Sequence, residues 1–205
     1  MGIADLRIAE FLDALGSKTP TPGGGAVAAL TGAMAASLGE MVLAYSMVKR
    51  LEPHHAQIEK ARAELAVIRR GMLEAADDDA TSYARLNAAM RLTERNEAEA
   101  REFREAAVAA TEAPVRVLRL VHKALDVLDG CEERWNHRLA SDLAMAALLA
   151  SAAARSAWWN AKMNEPTLAE SGADMAVVAF LAADLEQCED IARRVQARAH
   201  AVAGV

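Results

Sequence analysis

Apolar residues recur at intervals of three and four along most of the chain, the spacing that places side chains on one face of an α-helix. The sequence shows no run of alternating apolar and polar residues of the kind that marks a half-buried strand. The pattern predicts six helices joined by short connections. Their expected bounds are about 4–15, 26–48, 53–91, 97–128, 139–163 and 174–202.

Glycine and proline mark the expected helix ends. Gly16 is predicted to follow the first helix directly, and Pro53 to begin the third. Pro114 is expected to kink or divide the fourth helix, because proline cannot donate the helical hydrogen bond. Gly130 should close that helix, and the fifth should end before Pro166.

The second helix combines small and large apolar residues. Ala28, Gly32 and Ala36 fall four apart, so they share a face that would let another helix approach closely. A second stripe consists of larger residues. Its members are Leu30, Met34, Leu38, Met41 and Tyr45.

Composition supports a single all-α domain over residues 1–205, an up-and-down-like bundle of about six mostly long helices. Hydrophobic residues make up 53% of the chain but aromatic residues only 4%, so Ala, Leu, Val and Met must fill the core. The net charge of −6 disfavours a polyanion-binding surface, and we expect no nucleic-acid partner.

The expected location is the cytoplasm. Cys131 and Cys188 are too few for a disulfide framework, and the first residues do not resemble a secretory signal. The longest apolar run, 26–39, stops at Glu40 and predicts no membrane span. The five histidines form no recognisable metal-ligand spacing, so we expect no metal.

Asp79 is the most informative polar residue. The apolar stripe of the third helix, which passes through Met72 and Ala76, continues by three onto Asp79 and by four onto Tyr83. A carboxylate on such a stripe needs a partner or a wet cavity. The alternative is an acidic surface run, because Asp77, Asp78 and Asp79 are consecutive and point about 100° apart.

Two further signals remain ambiguous by themselves. The glycines at 23–25 precede a helix and would leave its first backbone N–H groups open to a ligand, but they also suit a tight connection. Lys49, near the end of the second helix, equally suits the helix dipole.

The fifth helix begins and ends with polar residues. Asn136, Ser141 and Asp142 flank its start, and Ser156, Asn160 and Asn164 form a row at spacing four near its end. Asp142 and Asn160 share an azimuth but lie about 27 Å apart along the axis. Within a single chain they cannot reach the same reacting atom. Either one of them has a structural role, or a second subunit brings the two residues together.

Together these segments resemble the cyclodeaminase/cyclohydrolase family. Ser17-Lys18-Thr19-Pro20-Thr21-Pro22-Gly23-Gly24-Gly25, followed by a small-residue helix, resembles the opening of that family. Asp79-Ala80-Thr81-Ser82-Tyr83 resembles its Asp-Ala-x-x-Phe/Tyr. The asparagines Asn136, Asn160 and Asn164, with Ser141-Asp142, match its later motifs.

The resemblance implies a helical homodimer with a folate cleft and no cofactor besides the folate substrate. The implied activity is hydrolysis of 5,10-methenyltetrahydrofolate to 10-formyltetrahydrofolate. The alternatives are formiminotetrahydrofolate cyclodeaminase and a non-catalytic folate-binding or scaffold homologue. The implied catalytic residues are Lys49, Asp79 and Asp142, either aspartate being the base. The implied substrate-binding residues are Ser17, Thr19, Pro22, Gly23, Gly24, Gly25, Tyr83, Asn136, Ser141, Asn160 and Asn164.

The chain departs from the family pattern in two segments, 43–50 and 92–94. In the second, Leu-Thr-Glu replaces the family's usual Leu-Pro-Lys or Leu-Pro-Arg. These changes leave open which folate reaction is catalysed.

Overall fold

The computed structural model describes residues 2–92 and 94–204, so Thr93 of the divergent 92–94 segment lies outside the described residues. Over that range the chain forms six α-helices, four short 3₁₀ helices and no strand, which confirms the all-α prediction. The α-helices are α1 (Ile8–Leu15), α2 (Gly24–Ala44), α3 (His55–Met90), α4 (Glu97–Gly130), α5 (Ala140–Glu170) and α6 (Leu181–Ala203). The 3₁₀ helices span Ile3–Asp5, Lys49–His54, His137–Leu139 and Met175–Val178.

Helix α2 is the central element of the bundle because its inner face is made of small residues. It packs between α3 and α5 and over α4, with Ala28, Gly32 and Ala36 buried. A Cβ atom on Gly32 would lie only 2.7 Å from the Sδ atom of Met72. The predicted small-residue face is therefore confirmed, and it allows the neighbouring helices to approach closely.

The stripe of large residues on α2 is only partly buried: Leu38 packs against the core, but other members face outward. Met34 is 55% exposed and Tyr45 is 63% exposed, and α5 likewise exposes Met145, Leu148 and Trp159. Since α2 and α5 pack side by side and both pack on α4, their outward faces lie on the same side of the bundle. We call this the α2–α5 surface. It comprises Met34, Leu38, Met41, Tyr45, Met145, Leu148, Trp159 and Met163.

Both interior prolines are accommodated within continuous helices. Helix α4 is undivided at Pro114, and α5 runs on to Glu170, so the prediction that it ends before Pro166 is wrong. The extension carries Leu168, which is fully buried and packs in a cluster with Phe103 and Leu86. Burying a leucine contributes about 1.5–3 kcal/mol, which offsets much of the roughly 3 kcal/mol cost of an interior proline.

The predicted start of the first helix and the predicted end of the second are also wrong. The first α-helix begins at Ile8 rather than residue 4, because the backbone N–H of Arg7 donates to the carboxylate of Glu10 and starts a new helix there. Helix α2 ends at Ala44 rather than Val48.

The last helix starts later than predicted. Asp174 accepts a hydrogen bond from the backbone N–H of Ala176 at 2.9 Å and thereby starts a separate 3₁₀ turn. The final α-helix consequently begins at Leu181. Gly16 directly follows the first helix, as predicted, and has right-handed helical dihedral angles, φ −78° and ψ −5°.

By length and composition, α2 is apolar enough to cross a membrane, with a mean hydropathy of 1.6 over its most apolar stretch. In this structure 56% of that stretch is buried inside the bundle, as in the core helix of many globular proteins.

Candidate active site

The three consecutive aspartates of α3 have three different partners. Asp77 accepts a hydrogen bond from the backbone N–H of Ile3, and Asp78 pairs with Arg116, with 2.6 Å between Oδ2 and the guanidinium. Asp79 instead faces the start of α2. The 100° steps of the helix therefore separate one anchoring carboxylate, one surface ion pair and one candidate catalytic group.

Asp79 packs directly against the backbone of α2. A Cβ atom on Gly25 would lie 1.9 Å from Oδ1 of Asp79, a separation that no side chain tolerates, and the backbone N–H of Ala26 donates to the carboxylate. Gly25 is thus required for close approach. Of the two interpretations of the glycine-rich loop, the structure favours a cradle for polar groups over a simple connection.

Burial raises the pKa of the Asp79 carboxyl above its ordinary value, and the hydrogen bond from Ala26 offsets part of that effect. Desolvation disfavours the charged form of any carboxylate, whereas a donor at a helix N-terminus favours it. A carboxyl group with a raised pKa is a stronger base when ionised and titrates closer to neutral pH.

Asn160 lies on the other side of the same helix start. A Cβ atom on Gly24 would lie 3.2 Å from Oδ1 of Asn160, and Nδ2 of Asn160 donates to the carbonyl of Ser156 at 2.9 Å. The N-terminus of α2 is consequently flanked by a carboxylate from α3 and an amide from α5. Asp79, Asn160 and the loop glycines therefore lie together in the structure.

Asn164, one turn further along α5, has a structural partner. Its Nδ2 donates to the carbonyl oxygen of Ala110 at 2.8 Å. That carbonyl is the one that Pro114, four residues later, cannot bond, because proline has no N–H. Asn164 therefore supplies the hydrogen bond to the Ala110 carbonyl that Pro114 cannot donate. Its predicted role in substrate binding stays a prediction.

A second polar group forms at the opposite end of α2. The backbone N–H of Asn136 donates to Oγ of Ser46 at 2.8 Å, and its Nδ2 donates to the carbonyl of Tyr45 at 3.0 Å. These bonds attach the segment before α5 to the end of α2. Ser46, which is fully buried, carries no motif signal in the sequence.

Lys49 and Asp142 lie at this same end. Lys49 begins a 3₁₀ helix and is exposed, so it is not the helix-end residue that the sequence suggested. Ser141 and Asp142 occupy the first turn of α5, where Ser141 is exposed and Asp142 is half-buried. Their roles in catalysis or binding stay predictions.

The two polar groups are separated by the full length of α2. Its 21 residues correspond to roughly 30 Å at 1.5 Å per residue. Asp79 and Asn160 sit at the N-terminal end, and Lys49, Asn136 and Asp142 at the C-terminal end. One chain therefore holds two groups of polar residues that are too far apart to act on the same substrate atom.

The remaining predicted binding residues lie in the loop before α2 or one helical turn after Asp79. Ser17 donates to the carbonyl of Ala14 at 2.7 Å and contacts the hydroxyl of Thr19, so both side chains bond at the end of α1. Pro22, whose peptide bond with Thr21 is cis, and Gly23 are half-buried before α2. Tyr83, expected on the buried stripe, is 46% exposed instead. In residues 2–92 and 94–204, no three His, Cys, Asp or Glu side chains are grouped to hold a metal ion.

Comparisons with known proteins identify the class. The sequence profile described as formiminotransferase-cyclodeaminase matches residues 7–187. A methenyltetrahydrofolate cyclohydrolase of Methylorubrum extorquens is 32% identical over 162 residues, which cover 77% of this chain and 78% of the relative. The chain belongs to the formiminotransferase-cyclodeaminase family.

A solved structure agrees over almost the whole fold. The crystal structure of formiminotetrahydrofolate cyclodeaminase from Thermotoga maritima superposes with a TM-score of 0.82 and 26% sequence identity. The match covers 98% of this chain and 96% of that one. The chain is thus similar to relatives named for two different folate reactions.

Proposed function

We propose that this protein is a methenyltetrahydrofolate cyclohydrolase, which hydrolyses 5,10-methenyltetrahydrofolate to 10-formyltetrahydrofolate. The observation that supports the proposal most directly is the half-buried Asp79 carboxyl, held at a helix N-terminus with a raised pKa. The cyclohydrolase named above, at 32% identity, supports this reaction over others of the family.

Hydrolysis of the methenyl group requires a general base next to its electrophilic carbon. The methenyl carbon is part of a cationic amidinium, so water attacks it once its proton is removed. Asp79 accepts that proton and returns it to the ring nitrogen as the carbon–nitrogen bond breaks, while the remaining hydroxyl proton is released to solvent as the formyl C=O bond forms. The amide of Asn160 and the free backbone N–H groups of Gly24 and Gly25 hold the substrate's polar atoms.

The proposal includes a homodimer that completes the site. Lys49 hydrogen-bonds the developing oxygen, and Asp142 supplies a second carboxyl, but both lie about 30 Å from Asp79 in one chain. An antiparallel second copy would bring its own Lys49 and Asp142 next to Asp79 of the first. A two-fold axis across the middle of α2 achieves this at both ends simultaneously.

The α2–α5 surface supports this arrangement. It is an apolar surface that runs between the two polar groups, and exposed surfaces of this kind mark interaction sites. An apolar groove of about 500 Å³ between residues 3–15 and α2 extends it. Ile8 in α1 is 81% exposed beside that groove. A second copy on this surface would cover these residues.

Formiminotetrahydrofolate cyclodeaminase is the second candidate, favoured by the structural match over 98% of the chain. That reaction closes the same ring and releases ammonia, and it also passes through a tetrahedral carbon between two nitrogens. We place either reaction in the cytoplasm, since both cysteines are buried and unpaired. We propose no cofactor beyond the folate substrate.

The test mixes purified protein with 5,10-methenyltetrahydrofolate and follows the loss of its near-ultraviolet absorbance against the spontaneous rate. Protein-dependent loss supports the cyclohydrolase. Ammonia release from formiminotetrahydrofolate, without acceleration of the first reaction, supports the cyclodeaminase. Folate binding without either turnover indicates the non-catalytic homologue and overturns the proposal.

A further inference from the structure

A narrow groove leads away from Asp79 along α3. A cavity of about 190 Å³ is lined on one side by Pro20 and Thr21 of the loop before α2. The other side is α3, which contributes Tyr83, Ala84, Asn87, Ala88 and Arg91. Since Tyr83 follows Asp79 by one turn of α3, the groove begins about one helical turn from the proposed catalytic carboxyl.

The polar side chains of the groove continue from Asp79 at a fixed spacing. Tyr83, Asn87 and Arg91 follow Asp79 at intervals of four, so they form one ridge on the surface of α3. The ridge is about 18 Å long at 1.5 Å per residue. Helical side chains lean toward the helix N-terminus, so the guanidinium of Arg91 leans toward Asn87.

Arg91 is free to take a ligand. It is exposed, and within the described part of the chain no carboxylate lies at ion-pair distance from it. Arg85, on the same helix, is by contrast paired with Glu102 at 2.6 Å. A planar guanidinium at the end of a groove binds carboxylates in a bidentate manner.

We propose that this groove binds the p-aminobenzoyl-glutamate tail of a folate, with Arg91 pairing a glutamate carboxylate. The inference rests on the proposed function, because it assumes that the reacting ring lies at Asp79. An extended tail leaving that ring meets the phenol of Tyr83 first, which stacks on the p-aminobenzoyl ring. Asn87 then faces the amide, and Arg91 faces the terminal carboxylates.

The order of groups along the ridge matches the order of groups along the ligand. An aromatic side chain, an amide and a cation follow the catalytic carboxyl, as an aromatic ring, an amide and carboxylates follow the reacting ring. A different role is open to Arg91, which caps α3 and places positive charge at its C-terminus. That role would affect stability but would not depend on the ligand's tail.

The experiment compares two stable ligands, 5-formyltetrahydrofolate and the corresponding pteroate, which lacks the glutamate. Calorimetric titration measures both affinities for the unchanged protein, for Arg91→Ala and for Arg70→Ala. Arg70 is a matched control, since it is exposed on the same helix but lies about 31 Å from Arg91 along the helix axis. Melting temperatures confirm that each variant is folded.

We expect Arg91→Ala to weaken binding of the glutamate-bearing ligand by about tenfold or more, and binding of the pteroate by less than about twofold. Raising the salt concentration should reduce the preference for the glutamate-bearing ligand in the unchanged protein and in Arg70→Ala, but not in Arg91→Ala. Equal affinities of Arg91→Ala and the unchanged protein for the glutamate-bearing ligand would overturn the groove while leaving the proposed function intact. If the unchanged protein binds neither ligand, the proposed function fails and the inference fails with it.

Discussion

The two ends of α2 are built in different ways. At the N-terminal end the backbone forms the site, because Gly24 and Gly25 bring it into close contact with Asn160 and Asp79. At the C-terminal end, hydrogen bonds from Asn136 to the chain around Ser46 hold the segments together.

The charged residues differ in the same way. Asp79 is half-buried, with its pKa raised by burial, whereas Lys49 is exposed. Among the residues that the structure describes, neither Lys49 nor Asp142 takes part in an ion pair. The comparison indicates that the N-terminal end is preorganised in the single chain, whereas the C-terminal end presents the groups that, in the proposed dimer, would act with a second copy.

Replacing Asp79 should produce the largest effect. Asp79→Asn removes the proposed base, so kcat should fall by about 10²–10⁴-fold with a smaller change in KM. The acidic limb of the kcat/KM profile of the unchanged protein, which reports ionisation of Asp79, should disappear in the variant. Asp78→Asn is the control, because Asp78 only pairs with Arg116. Equal losses in both variants would contradict the assignment.

A methyl group on Gly25 tests whether the backbone forms the site. Gly25→Ala would place Cβ 1.9 Å from Asp79 Oδ1, so either the Asp79 carboxyl or the helix start must move. We expect a loss of about 1–3 kcal/mol of unfolding free energy and a strong loss of turnover. Gly71→Ala is the control, since its Cβ would meet Leu120 at an ordinary 3.4 Å. Urea unfolding that leaves Gly25→Ala as stable as Gly71→Ala would show that no close approach is needed.

Alanine substitutions of Asn164 and Ser156 test which residue of the polar row of α5 stabilises the fold. Asn164→Ala leaves the carbonyl of Ala110 without its donor and should cost about 1–3 kcal/mol of unfolding free energy. Ser156→Ala removes only a hydroxyl bonded within its own helix, to Ala152, and should cost less than about 0.5 kcal/mol. Both values come from urea unfolding. Equal stability of the two variants would show that Asn164 does not support α4.

The smallest expected effect is a pH-dependent change in stability. The pKa of Asp79 is higher in the folded chain than the unperturbed 3.8 of the unfolded one, so folding favours the protonated form. The stability contributed by Asp79 is thus fully present below pH 3.8 and is lost as the pH rises through the folded pKa. Asp79→Asn should therefore melt higher than the unchanged protein near neutral pH, and the difference should shrink as the pH is lowered. A difference that does not change with pH would contradict the raised pKa.

Periodicity predicted most of the fold. The 3.6-residue pattern predicted the six helices, and the small residues of α2 predicted its close packing. The pattern did not predict the end of α5, which continues past Pro166 because Leu168 is buried. It also did not predict the start of α6, because Asp174 caps a separate turn before it. Local propensity carries no information about such distant contacts.

The candidate site was predictable in composition but not in arrangement. The motifs indicated Asp79 and the glycines, yet only the structure shows the contact between Gly25 and Asp79. The role of Asn164 was not predictable, because it depends on a carbonyl that Pro114 frees in another helix. The 27 Å separation of Asp142 and Asn160, in contrast, followed from helix geometry alone.

The most direct test of a site shared between two copies is complementation of two inactive variants. Asp79→Asn and Lys49→Ala are co-expressed with different affinity tags, and the dimer carrying both tags is isolated and assayed with 5,10-methenyltetrahydrofolate. One of its sites then carries both changes and the other carries neither, so we predict about half of the unchanged dimer's turnover, with each variant alone nearly inactive. A doubly tagged dimer with no more activity than the single variants would place Asp79 and Lys49 in separate functions and contradict the shared site.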